Sequence, residues 1–115
     1  MSGPLNDFLA SRLPLPGVLG WSARLADRAL LSHAYNDWLS SGRLEQTLTR
    51  LALATESLDQ HGLQPRRLSW TFEHVRIFLA PRSDGAWLAV FVENNPTLDS
   101  GSIEHLLEAF AALEA

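Results

Sequence analysis

The sequence predicts an α+β domain spanning residues 1–115, with a single antiparallel five-stranded sheet flanked by helices on both faces in the order α-β-β-α-β-β-β-α. Three observations carry this prediction. Several short stretches alternate apolar and polar residues with the period of a strand, and turn residues separate them. The run Trp87-Leu88-Ala89-Val90-Phe91-Val92 is apolar on both parities, which a strand tolerates only when both sheet faces are covered. Two further segments repeat apolar residues at helical spacing, one between the strand pairs and one after the last strand. The length suits one domain with one core, and no linker, repeat or low-complexity segment interrupts it.

Leu5, Phe8, Leu9 and Leu13 predict a short amphipathic helix behind Pro4, stopped by Pro14 and Pro16. From Val18 to Leu25, Leu19, Trp21, Ala23 and Leu25 alternate with Val18, Gly20, Ser22 and Arg24, the pattern of a strand. Ala26-Asp27-Arg28 forms a turn, and Ala29 to Tyr35 returns as the second strand of a hairpin. A long helix follows from Arg43 to His61, with Ser40 or Ser41 as cap and Gly62 as stop. Its core stripe is Leu44, Leu48, Leu51, Thr55 and Leu58, while Leu53 lies on the opposite side. Residues 68–73 then alternate strictly, a one-faced strand carrying Leu68, Trp70 and Phe72. After a tight reversal at Glu73-His74, Val75, Ile77 and Leu79 continue the pattern until Pro81-Arg82-Ser83-Asp84-Gly85 breaks it. Trp87 to Val92 is the expected central strand, and Asp99 or Ser100 caps a last helix bearing Ile103, Leu106, Leu107, Phe110 and Leu113.

Composition removes several functions. All nine basic residues are arginine and there is no cysteine. A Walker-type phosphate loop and Schiff-base catalysis both need lysine; thiol nucleophiles, disulfides and cysteine zinc sites need cysteine. A net charge of -4 argues against a nucleic-acid partner. The N-terminal residues lack the charged and apolar regions of a secretory signal, and no apolar run is long enough to insert in a membrane. The expectation is a cytoplasmic protein.

The element order, Pro16-Gly17-Val18-Leu19-Gly20-Trp21 opening the first strand, the long helix ending near Gly62, the strand 68–73 turning tightly into 75–80, and Asp84-Gly85 leading to an apolar strand ending Glu93-Asn94 together resemble the Roadblock family of dynein light chains and bacterial GTPase regulators. Two departures are a short first helix and Asp27-Arg28-Ala29 where the family often has an aspartate-glycine turn. The resemblance implies a non-catalytic module without cofactor. It further implies a homodimer made by pairing third strands, with the long helices alongside, presented to a small Ras-like GTPase or a scaffold protein. Two features of the residues fit that implication. Trp70 and Phe72 sit on an expected edge strand, an aggregation hazard unless paired, and Leu53 would gain burial if two long helices met. The expected dimer interface is therefore Leu53, Leu68, Trp70 and Phe72.

No histidine pairs with another at helical metal-ligand spacing, and His33, His61, His74 and His105 fall on four different elements, so neither a metal nor a catalytic site is expected. Glu73-His74 is an adjacent acid and imidazole in a turn near the expected interface, which gives a pH-sensitivity hypothesis. Trp21 and Trp87 are assigned to the core. Trp38, in the loop before the long helix, either anchors that loop or contacts a partner; Arg43 and Arg50 on the helix and Arg66-Arg67 before the edge strand are either solvated charges or contacts for an acidic partner. The alternatives from other classes are a small-molecule-sensing domain of similar α-β-α architecture and a structural subunit of a larger complex. Against the first, the central strand offers no polar inward residue to orient a ligand.

Overall fold

In the computed structural model, which describes residues 7–9, 12–13, 17–37, 39–62, 68–82, 85–94 and 100–112, the doubly apolar run becomes β5 (Trp87–Glu93), the middle strand of a five-stranded sheet. The others are β1 (Val18–Arg24), β2 (Leu30–Ala34), β3 (Leu68–Thr71) and β4 (Val75–Pro81). The order across the sheet is β2-β1-β5-β4-β3, and every neighbouring pair is antiparallel. β5 is buried from Trp87 through Val92, as its two apolar parities require.

Each face of the sheet carries its own core. On one face, Leu44, Leu48 and Ala52 of α1 (Ser41–Gln60) pack with Leu19, Ile77, Leu79, Ala89 and Phe91. On the other, Ile103, Leu106, Leu107 and Phe110 of α2 (Ser100–Ala112) pack with Trp21, Phe78, Leu88 and Val90. Leu9 and Leu13 join this second core, and the Leu13 N–H donates to the Leu9 carbonyl (2.9 Å). Of the short helix expected here, Pro4, Leu5, Pro14 and Pro16 lie outside the described residues, as do Trp38, Arg66, Arg67, Asp84, Asp99 and Leu113.

β1 departs from simple alternation. Val18 pairs with Val92 but Gly20 pairs with Phe91, so one extra residue is accommodated between them. Leu19 consequently faces α1 while Trp21 and Ala23 face α2, instead of all three sharing a face as the alternation predicts. Gly20 also turns toward α1. A Cβ there would lie 2.7 Å from Leu44 Cδ1 and 2.8 Å from the His33 carbonyl oxygen, so only glycine lets helix and strands approach this closely.

α1 begins where Ser40 Oγ accepts the Arg43 N–H (3.4 Å) and ends at Gly62, whose φ of 81° is the left-handed stop glycine favours. Its stripe is partly corrected. Leu44, Leu48 and Thr55 are buried and Leu51 is half-buried, but Leu58 is 39% exposed and Ala52 is buried in its place. The reason is lateral position: α1 packs most closely on β1 and β2 and less on β5. The helix flank bearing Leu51 and Leu58 therefore overhangs the other half of the sheet.

Two hairpin turns share one hydrogen-bond pattern. The Leu25 N–H donates to Ala29 O (2.8 Å) and Arg28 N–H to Leu25 O (2.9 Å); likewise Arg82 N–H donates to Ala86 O (2.8 Å) and Gly85 N–H to Arg82 O (3.0 Å). Gly85 takes φ 93° at no steric cost, whereas Arg28 occupies the equivalent position at φ 72°. Asp27 supports that strained turn by accepting the Ala29 N–H (3.0 Å).

Candidate functional site

An edge strand exposes the backbone groups of every second residue, and their identity follows from the ladder on its inner side. At β2, Tyr35 N–H donates to Leu19 O and Leu25 N–H to Ala29 O, so the odd-numbered residues bond inward. Leu30, Ser32 and Ala34 direct their N–H and C=O groups outward. At β3, Phe72 N–H donates to Val75 O (2.8 Å), so Leu68 and Trp70 bond toward β4 while Ser69 and Thr71 face outward.

The side chains at the two edges differ. Ser32 pairs with Ser22, whose hydroxyl donates to the Leu44 carbonyl (3.0 Å), and Ser32 itself donates to the Glu45 carboxylate of α1. Glu45 thus places a charge beside the β2 edge, one of the devices that discourage further pairing. β3 carries no charged side chain between Leu68 and Thr71. Leu68 and Trp70 lie half-buried against the α1-side core, and Phe72, just beyond the strand, is 52% exposed. The expected strand 68–73 ends at Thr71 because the Phe72 N–H closes the reversal to Val75. Asn94 clamps that reversal: its side-chain amide donates to the carbonyls of Phe72 (2.8 Å) and Glu73 (3.4 Å), and its N–H donates to His74 O (3.1 Å). A polar residue directly after the last strand is the signal that could have identified Asn94.

The expected interface residues are therefore partly gathered. Leu68, Trp70 and Phe72 form one apolar row. Leu53, 59% exposed, stands apart on the crest of α1, turned about 180° from Leu44 at 100° per residue. Arg43 and Arg50 are exposed on the flank of α1 about 100–120° from Leu44, on the side opposite Glu45. Leu58, read from the sequence as core, joins this exposed flank. A second clamp, Asn36, donates to Leu19 O (2.7 Å) and accepts the Leu39 N–H, fixing the loop before α1 to the β1 bulge.

The chemical inventory is sparse. Among the described residues no three histidine, aspartate or glutamate side chains come together as a metal would require. His33 lies against Tyr35 with ring centroids 4.6 Å apart. His74 Nε2 is 3.7 Å from Glu73 Oε1, with both side chains exposed, a geometry that water screens strongly. Arg24 reaches Glu56 of α1 (2.7 Å), and the Arg76 guanidinium stacks over Phe78 (4.9 Å). No helix of the described residues is long and apolar enough to cross a membrane.

No protein-family model matches the chain, and no curated protein matches it significantly in sequence. Its fold is similar to that of a Roadblock/LC7 domain from Streptomyces avermitilis, at 11% identity and a TM-score of 0.69 over 96% of this chain and 93% of that one. It is also similar to Myxococcus xanthus MglB, at 10% identity and a TM-score of 0.60 over 83% and 81% of the two chains. Together with the sheet order and the helix on each face, these likenesses establish that the chain has the fold of a Roadblock/LC7 domain.

Proposed function

We propose that this protein is a non-catalytic homodimeric module of the cytoplasm that regulates or scaffolds a small Ras-like GTPase. The observation that carries the reading is the β3 edge, where outward backbone groups coincide with the half-exposed row Leu68, Trp70 and Phe72. Pairing with a second copy would satisfy both at once. Leu53 is the apolar side chain that a second α1 would cover if the long helices come together over the paired strands. Arg43 and Arg50 on the same helix are suited to bidentate contacts with carboxylates of the GTPase or scaffold; Trp38, between Asp37 and Leu39 in the sequence, is the aromatic candidate for that contact. The sequence lacks the lysine of a phosphate-binding loop, so nucleotide chemistry would reside in the partner.

The buried hydroxyls favour this reading over a small-molecule sensor. Ser22 and Thr55 both donate to α1 carbonyls, Leu44 O at 3.0 Å and Leu51 O at 2.8 Å, and so have no hydrogen left to orient a ligand. Light scattering at micromolar concentration should give twice the chain mass, and affinity capture with GTP- and GDP-loaded lysates should retain a Ras-like GTPase in at least one state. A protomer mass would remove the dimer; capture of no GTPase in either state would remove the regulatory role.

A further inference from the structure

We infer that two copies pair about Trp70, placing Trp70 against its own copy on the two-fold axis and Leu68 against Phe72 on either side. This deepens the proposed dimer and rests on it. Only residues whose backbone groups face outward can exchange hydrogen bonds across a new antiparallel junction, and on β3 these are Ser69 and Thr71. Odd positions must therefore meet odd positions, and the even-numbered apolar row must meet itself. A two-fold axis then leaves three symmetric registers, centred on Ser69, Trp70 or Thr71.

Side chains separate them. Centring on Ser69 pairs Leu68 with Trp70 but leaves Phe72 beyond the first residue of the copy's β3, without an apolar partner on that strand. Centring on Thr71 pairs Trp70 with Phe72 but sets Leu68 against position 74, a histidine. Centring on Trp70 alone gives every member of the row an apolar partner, with the aromatic pair in the closer, non-hydrogen-bonded type of site. On the opposite sheet face the same register sets Ser69 beside the copy's Thr71, hydroxyl to hydroxyl. Both are exposed, on the sheet face that α2 packs farther in at Phe78, the neighbour of Ser69 on β4.

The absence of native cysteine makes the register directly measurable. Ser69→Cys and Thr71→Cys keep Trp70 in place. In the register about Trp70, position 69 faces position 71 of the copy at about 5.5 Å between Cα atoms, within disulfide reach, whereas 69 to 69 and 71 to 71 are displaced along the strand beyond about 7 Å. Under a mild oxidant, a mixture of the two variants should form a covalent dimer and neither variant alone should. A covalent dimer from Ser69→Cys alone, or from Thr71→Cys alone, overturns the register and leaves the β3 dimer standing. A wild-type dimer by light scattering with no cross-link in any arm also overturns it, by placing the interface elsewhere. A wild-type monomer overturns the dimer and the register together.

Discussion

At the β2 edge the outward-facing residues carry Leu30, Ser32 and Ala34, α1 packs over the strand, and Glu45 from that helix grips Ser32. At the β3 edge the helix stops short, no charge stands on the strand, and Leu68, Trp70 and Phe72 remain partly in water. The two edges belong to one sheet and share one ladder geometry, so the difference arises from the lateral placement of α1. Gly20 sets that placement by letting Leu44 approach β1 and β2. A helix shifted toward β1 guards the middle of the β2 edge at Ser32, although Leu30 at its start is 40% exposed, and leaves the apolar row of the β3 edge uncovered.

The largest effect should come from loosening the helix that makes the edges unequal. Leu48→Ala removes a fully buried side chain from α1 and should lower stability by about 2–5 kcal/mol in urea unfolding. Gly20→Ala should cost about 1–3 kcal/mol by the same measurement, because the added Cβ meets a backbone oxygen that cannot step aside. Proline at outward-facing positions then sets the edges against each other without removing a ladder donor. Ser69→Pro should raise the dimer dissociation constant at least about tenfold, equivalent to about 1.4 kcal/mol, whereas Ser32→Pro should leave the light-scattering mass of the dimer unchanged. The smallest effect concerns the hairpin that holds β2: Arg28→Gly should gain up to about 1 kcal/mol by relieving the left-handed strain, while Gly85→Arg at the matching turn should lose a comparable amount.

Much of this asymmetry is legible in the sequence, and the exceptions share a cause. Alternation reveals strands and helical spacing reveals α1, because both report which residues share a face of one element. The double parity of Trp87 to Val92 correctly implies the middle strand. Neighbouring elements are invisible to such patterns. The stripe containing Leu58 is real, but which part of it meets the sheet depends on where α1 lands, and it lands over β1 and β2. The bulge that turns Leu19 away from Trp21 leaves no gap in the alternation because both residues are apolar and both faces are cores. Phe72 has strand spacing and strand chemistry, yet the hydrogen bond from its N–H to Val75 and the Asn94 clamp place it in the reversal. Leu68 and Trp70 are recognisable from their alternation as one row on one face of a strand, whereas no contact among the described residues joins Leu53 to them.

The central claim is that β3 pairs with itself and β2 does not, and residue-resolved amide hydrogen exchange tests both halves in one experiment. The backbone N–H groups of Ser69 and Thr71 and those of Leu30, Ser32 and Ala34 all point off the sheet. Protection at Ser69 and Thr71 that grows with protein concentration, with Leu30, Ser32 and Ala34 exchanging rapidly throughout, is the predicted result. Rapid exchange at Ser69 and Thr71 at concentrations where the protein is dimeric, or concentration-dependent protection at Leu30, Ser32 and Ala34 instead, would contradict it.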